Sequence, residues 1–159
     1  MGSQSDLPTM NGAAEILKQY DIPHRVVIVS AHRSPDDAAR FAKRSRSQGV
    51  KVIIAGAGGA AHLAGVIASH TTLPVIGVPM ETKELLGIDS LLAIVQMPSG
   101  VPVATVTIGA TGAKNAAILA LQILALSDAK IEQRLRDHKK TMARSVRNAA
   151  RAVAGKKRS

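Results

Sequence analysis

The chain has 159 residues, 46% of them hydrophobic and none of them cysteine, so it can bury one core but excludes a disulfide framework or a thiolate metal site. Its formal net charge of +10 lies mostly in residues 130–159, which hold eleven Lys/Arg and two Asp/Glu. No segment approaches the roughly 20 apolar residues that span a bilayer, and the N-terminus does not have the pattern of a secretion signal, so we expect a cytoplasmic protein without a membrane contact.

Short β-branched runs alternate with longer amphipathic segments along the chain. The predicted strands are His24–Ser30, Val50–Ala55, Pro74–Val78 and Val101–Ile108. The predicted helices are 6–20, 35–48, 59–70, 84–93, 112–126 and 128–153. Because connections between parallel strands carry helices, this alternation predicts an α/β fold, a three-layer α/β/α sandwich around a parallel sheet of the flavodoxin or Rossmann type.

We predict a single domain over residues 1–159. It consists of a core over 1–127, a basic helix over 128–154 and a frayed tail over 155–159. The basic helix carries an apolar stripe opposite its charged face, so we expect it to dock along its length. Such a charged face is usually just solvated, and binding of nucleic acid is the alternative.

Four polar or glycine-rich segments follow predicted strands or precede the first helix, where ligands of parallel sheets collect. They are Gly2–Asp6, Ser30–Arg33, Gly56–His62 and Pro79–Met80. Hydroxyl and guanidinium groups bind phosphate, which suits Ser3, Ser5 and Arg33. The two carboxylate oxygens of Asp6 suit the paired hydroxyls of a ribose. Alternatively, Ser5 and Asp6 serve only to cap the first helix.

His32 lies between a predicted strand and helix, and an imidazole, whose unperturbed pKa is about 6.5, can both donate and accept a proton at neutral pH. The alternative is a loop histidine that only hydrogen-bonds backbone. No second ligand stands at metal-binding spacing from it, so we expect no metal. Of the other histidines, His62 follows the glycine run and could line the pocket. His70 could complement the helix dipole, and we expect structural or solvated roles for His24 and His138.

The glycine run also fits a dinucleotide-binding fingerprint. Gly56, Gly58 and Ala61 match G-x-G-x-x-[GA], and Glu81 follows Ala61 by 20 residues. Against this reading, the chain has no room for a second domain that would hold a hydride acceptor. The fingerprint also leaves the segments around Ser3 and His32 unexplained.

Six motifs together resemble those of class I N5-carboxyaminoimidazole ribonucleotide mutases, the family of the catalytic subunit of phosphoribosylaminoimidazole carboxylase. They are G-S-x-S-D, S-A-H-R-x-P, A-G-A-G-G-A-A-H-L, P-V-x-G-V-P, D-S-L-L-x-x-V-Q-M-P and G-x-x-N-A-A, at 2–6, 30–35, 55–63, 74–79, 89–98 and 112–117. The resemblance implies a homo-octamer with shared active sites, no metal or organic cofactor, and conversion of N5-carboxyaminoimidazole ribonucleotide to 4-carboxy-5-aminoimidazole ribonucleotide.

Carried over from the family, His32 is the catalytic acid and base. The implied substrate-binding residues are Ser3, Ser5, Asp6, Ser30, Arg33, Gly56, Ala57, Gly58 and His62. His32 would protonate the departing amine and release carbon dioxide into a niche walled by Gly56–His62, and it would then remove the proton from the ring carbon that attacks.

Three departures from the family are visible in the sequence. The family has a strand before G-S-x-S-D, where this chain has only Met1, and Leu7 and Ala64 stand where tryptophan and proline are expected. Without that strand we expect an exposed sheet edge. Two rival functions are a related carboxylase that uses free carbon dioxide and a nucleic-acid-binding module built on the basic helix. The near absence of aromatic residues disfavours the second.

Overall fold

The computed structural model describes residues 1–156 and places three parallel strands among six α-helices. The strands are β1 (Ile53–Ala57), β2 (Val75–Pro79) and β3 (Ala104–Thr105). The helices are α1 (Leu7–Gln19), α2 (Pro35–Ser45), α3 (Leu63–Ser69), α4 (Ile88–Val95), α5 (Gly109–Ala125) and α6 (Ala129–Lys156). Short 3₁₀ turns precede α1 (Gln4–Asp6) and follow α2 (Arg46–Gln48).

The strands lie side by side in chain order, β1–β2–β3, with Ile53 opposite Val75 and Ile76 opposite Ala104. Parallel neighbours need crossover connections, and α3 and α4 supply them. The predicted α/β fold with a parallel sheet is therefore confirmed.

Alternate strand residues point to opposite faces of the sheet, and helices cover both faces. On one face, small residues of α2 and α3 pack on Ile53 and Ala55 of β1. On the other face, a Cβ at Gly56 would lie 2.6 Å from Sδ of Met10 in α1. Glycine at this position therefore lets α1 approach the sheet closely.

The predicted strand His24–Ser30 is not a strand in the structure. Met1 forms a parallel bridge to it, with the Met1 amine donating to the Val27 oxygen (2.9 Å) and the Val29 N–H donating to the Met1 oxygen (3.0 Å). Within residues 1–156, these two backbone hydrogen bonds link the segment to Met1, which occupies the place of one residue of a neighbouring strand. The segment is extended but lacks the consecutive pairs that make a ladder, and Val26 and Ile28 remain about half exposed.

Other boundaries differ by several residues. The Val50–Ala55 prediction starts early, since β1 begins at Ile53 and includes Gly56 and Ala57. Helix α3 begins four residues after its predicted start because the glycine run remains a loop, with Gly59 at φ +63°. Strand β3 keeps two of the eight predicted residues.

Internal contacts divide the chain into two compact units, Met1–Ala120 and the part that starts at Leu121. The first unit holds the sheet and all predicted site residues, and the second holds the end of α5 and all of α6. The single domain over 1–159 stays a prediction. Helix α6 includes Gly155 and Lys156, which we predicted as frayed, and the rest of that tail lies outside the described residues.

Across residues 1–156, no helix combines the length and the apolar character that crossing a membrane requires.

Adding a five-residue β-branched strand in front of Met1 should raise the thermal midpoint. The added strand would continue the single bridge at Ile28 toward His24 and would cover Val26 and Ile28. Completing the burial of two half-exposed aliphatic side chains contributes about 2 kcal/mol, which corresponds to roughly 4–8 °C for a chain of this size. Calorimetry of the extended chain checks this, with an extension of glycine and proline as the control. An equal midpoint for both extensions would contradict it.

Candidate functional site

The turn that starts α1 holds three of the predicted ligand side chains. The Ser3 N–H donates to Oδ2 of Asp6 (3.1 Å), while the Ser5 N–H (3.3 Å) and the Ser5 hydroxyl (2.9 Å) both donate to Oγ of Ser3. This is a capping box, so the structural role that the sequence left open is present. Ser3 Oγ acts as an acceptor in these bonds, so its own hydrogen remains available to a ligand oxygen.

Arg33 joins this turn to the end of the extended segment. Its guanidinium donates to the carbonyl of Gly2 (3.0 Å), and its backbone N–H donates to Oγ of Ser30 (3.1 Å). The N–H of Gly2 donates in turn to the carbonyl of Gly56 in β1 (3.2 Å). Gly2 therefore connects three of the four predicted segments, and the exposed guanidinium keeps further N–H groups for an anion.

His32 and His62 contact each other directly. Nε2 of His32 lies 2.8 Å from Nδ1 of His62, and the rings are edge to face, with centroids 4.9 Å apart. A bond between two ring nitrogens needs one donor and one acceptor, so this contact holds one proton between the two imidazoles. Both side chains are exposed, which leaves their other nitrogens open to a ligand.

The loop between β1 and α3 is held by a residue that was not among the predicted site residues. The N–H of Gly59 donates to Oγ of Ser90 (2.9 Å), and Ser90 is fully buried at the start of α4. The only sequence signal for Ser90 was its place in the D-S-L-L motif. Gly58, beside this anchor, is exposed, and a Cβ added to it would lie 3.2 Å from Cβ of Met80.

Two predicted ligand positions, Gly56 and Ala57, are buried inside β1. The Gly56 carbonyl accepts the N–H of Gly2 (3.2 Å) and the Ala57 carbonyl accepts the N–H of Met80 (2.9 Å), so the backbone acceptors of both residues already have partners within the protein. The structure also disfavours a dinucleotide fingerprint. In that fingerprint the last small residue packs the helix against the strand, whereas Ala61 lies before α3 begins.

The remaining histidines belong to other elements of the chain. His24 places Nδ1 at 2.9 Å from the carbonyl of Ile22, His70 caps the end of α3, and His138 lies on α6. Among the described residues, no group of three or more His, Asp or Glu side chains could hold a metal ion.

Comparison with known proteins identifies the family. The family model of AIR carboxylase matches residues 1–145. The N5-carboxyaminoimidazole ribonucleotide mutase of Pyrococcus horikoshii is 56% identical over 153 residues, which are 96% of this chain and 85% of that protein. The mutase of Escherichia coli K12 is 54% identical over 92% of this chain and 86% of its own.

Solved structures agree with the sequence relatives. The crystal structure of Treponema denticola PurE has a TM-score of 0.85 and 28% identity, and the alignment covers 93% of this chain and 91% of that one. Since the family model matches nine-tenths of the residues and the relatives share more than half of theirs, the chain belongs to the AIR carboxylase family.

Proposed function

We propose that this chain is an isomerase of purine biosynthesis that converts N5-carboxyaminoimidazole ribonucleotide to 4-carboxy-5-aminoimidazole ribonucleotide. Relatives that carry the mutase name share 51–56% of their residues with it over at least 91% of the chain. The observation that carries the proposal is the 2.8 Å contact between Nε2 of His32 and Nδ1 of His62, which brings two imidazoles together beside the glycine loop and leaves the other nitrogen of His32 open to the substrate.

The ribonucleotide would bind between the start of α1 and Arg33. The guanidinium of Arg33 and the hydroxyl of Ser3 supply donors to phosphate, and the Ser5 hydroxyl would join them by turning away from Oγ of Ser3. Ser30, whose Oγ accepts the N–H of Arg33, would orient this arginine. The Oδ1 atom of Asp6 would accept from a ribose hydroxyl, since Oδ2 is engaged by the N–H of Ser3 (3.1 Å) and Oδ1 has only a longer contact with the Ser5 hydroxyl (3.4 Å).

His32 would carry the proton through the reaction. Its protonated ring gives a proton to the N5 nitrogen as the bond from that nitrogen to the carboxyl carbon breaks, which releases carbon dioxide. Gly58 and His62 would help to enclose that molecule until the ring carbon C4 attacks it and forms the new carbon–carbon bond. His32 then takes the proton from C4, so it ends protonated as it began.

His62 would keep the proton on the correct nitrogen of His32. When Nδ1 of His62 accepts from Nε2 of His32, it fixes the tautomer and orientation of that ring.

A carboxylase that joins free carbon dioxide to aminoimidazole ribonucleotide is the second candidate, since the family description names that activity. The mutase names of the relatives at over 50% identity favour the first. An assay of each substrate with labelled bicarbonate separates them. A mutase keeps the carboxylate of its substrate and incorporates little label, whereas efficient turnover of the uncarboxylated ribonucleotide with label in the product would establish the carboxylase.

We further propose that the chain assembles as a homo-octamer. Support comes from an apolar face of α4, formed by Ile88, Leu92 and Val95, whose side chains are each more than half exposed beside the exposed Leu85 and Leu86. Exposed clusters of this size usually mark subunit interfaces. Native mass spectrometry would show eight copies of the 16.6 kDa chain, and a monomer at micromolar concentration would exclude the assembly.

A cytoplasmic location, the absence of a metal or organic cofactor, and the absence of membrane and nucleic-acid partners stay predictions. The cysteine-free composition supports the first, because nothing in the chain needs an oxidising compartment. Function as a nucleic-acid-binding module is not favoured by any relative described above.

A further inference from the structure

Ser90 is one of two serines in the described part of the chain whose side chains are fully buried. Its Oγ accepts the N–H of Gly59 at 2.9 Å, a bond that runs from α4 to the loop between β1 and α3. The other buried serine, Ser45, donates its hydroxyl to the carbonyl of Phe41 within α2 (2.7 Å). The buried hydroxyl of Ser90 therefore joins the glycine loop to a different element, whereas that of Ser45 bonds inside its own helix.

The bond to Ser90 fixes the orientation of the peptide group between Gly58 and Gly59. Because neither residue has a Cβ, turning this peptide group over meets little steric resistance, and Gly59 already lies at φ +63°. The N–H and C=O of a trans peptide point in opposite directions, so the bond also sets the direction of the Gly58 carbonyl. Without an acceptor at position 90, two successive glycines would leave this group free to turn.

The start of α4 holds Ser90 in place. Oγ1 of Thr82 donates to Oδ1 of Asp89 (2.8 Å) and accepts the N–H of Gly87 (3.0 Å). Both bonds tie the beginning of the helix to the segment that follows β2. The same threonine borders the loop, since a Cβ at Gly58 would lie 3.8 Å from its Cγ2. A fixed acceptor thus holds the most adaptable part of the loop.

We propose that Ser90 is a positioning residue, which keeps the carbon dioxide niche closed by holding the peptide group between Gly58 and Gly59 in one orientation. The proposal rests on the mutase function proposed above, in which free carbon dioxide exists between the two steps. If the peptide group turned, the wall of the niche at Gly58 would change shape, and carbon dioxide would escape before C4 attacks it. Closed active sites prevent such side reactions.

The chemistry of the leak defines what to measure. The bond from the N5 nitrogen to the carboxyl carbon breaks, the nitrogen takes the proton of His32, and aminoimidazole ribonucleotide is left without its carboxylate. The escaped carbon dioxide reacts with water to give bicarbonate and a proton, and His32 regains a proton from the solvent. A leaking enzyme therefore forms uncarboxylated ribonucleotide in place of the carboxylated product.

Ser90→Ala tests the proposal through the fate of the carboxyl group. The substrate carries an isotopic label in its carboxylate and is converted in the presence of excess unlabelled bicarbonate, with an enzyme-free sample to correct for spontaneous loss. Ser90→Ala should raise the ratio of uncarboxylated to carboxylated ribonucleotide about fivefold over the parent, the factor that one hydrogen bond is worth. KM should change little, because other segments are proposed to bind the phosphate and the ribose.

Ser45→Ala controls for the general effect of removing a buried hydroxyl from a helix. It should lower the thermal midpoint much as Ser90→Ala does and leave the ratio unchanged. Ser90→Thr keeps the hydroxyl and should retain the label. Ser90→Cys has nearly the size of the parent side chain but accepts only weakly, so it should leak and provides the test if Ser90→Ala does not fold.

Equal ratios for the parent and Ser90→Cys, or a rise that Ser90→Thr or Ser45→Ala shares, would overturn the proposal. A parent protein that forms no carboxylated ribonucleotide would instead refute the mutase function. The failure of the positioning role is thereby distinguished from the failure of the assigned activity.

Discussion

Replacing His32 by glutamine should lower kcat by about 10²–10⁴-fold while ribonucleotide binding changes little. Glutamine keeps a polar side chain of similar length that can still donate to Nδ1 of His62, so the local geometry should survive. It cannot carry a proton at neutral pH, and the proposed cycle needs one group that both gives and takes a proton. Turnover assays together with calorimetric titration of the ribonucleotide separate loss of chemistry from loss of binding.

His24→Gln is the matched control, because His24 is also an exposed histidine. Within the described residues, its ring hydrogen-bonds only the backbone carbonyl of Ile22. It should retain full activity. The activity of His62→Gln should fall between those of the other two variants, since the hydrogen bond that fixes the tautomer of His32 would be lost. If His32→Gln kept more than about a tenth of the activity, the loss would be below the range of general acid–base catalysis and another group would carry the proton.

Replacing Gly58 by valine should abolish most turnover without unfolding the protein. A Cβ at this position would lie 3.2 Å from Cβ of Met80 and 3.8 Å from Cγ2 of Thr82, a tight but tolerable fit for the fold. The two methyl groups would then occupy the exposed side of the loop, where the migrating carboxylate is proposed to lie. Loss of backbone donors to that charge costs about 10²–10³-fold in kcat.

The alanine variant at Gly58 serves as the graded control, because it adds the Cβ alone. We expect thermal midpoints of both variants within a few degrees of the parent, since the position is exposed and Met80 can shift slightly. Activity should fall in the order glycine, alanine, valine. An active valine variant would remove the glycine loop from the proposed carbon dioxide niche, whereas an unfolded one would contradict the expected stability and leave the alanine variant to decide the effect on activity.

Helices were predicted well where local signals are strong. Ser34 and Pro35 followed by two acidic residues place the start of α2 correctly, because proline at the first turn and acids near the helix dipole act within one turn. The weak predictions are those that depend on a partner. The segment 24–30 has four consecutive β-branched residues, Val26 to Val29, yet among the described residues only Met1 bridges it. A strand needs a hydrogen-bonded neighbour over several residues, and this segment does not have one.

Sequence alone determined the helix-strand alternation, the parallel sheet and the residues from which a ribonucleotide site can be built, because periodicity, capping and motif chemistry are local properties. Tertiary structure decided which of them touch. His32 meets His62 across 30 residues, Gly59 meets the buried Ser90 across 31, and Gly2 ties Arg33 to β1. Such contacts arise only when the carboxyl ends of parallel strands come together, and no local pattern encodes the distance between them.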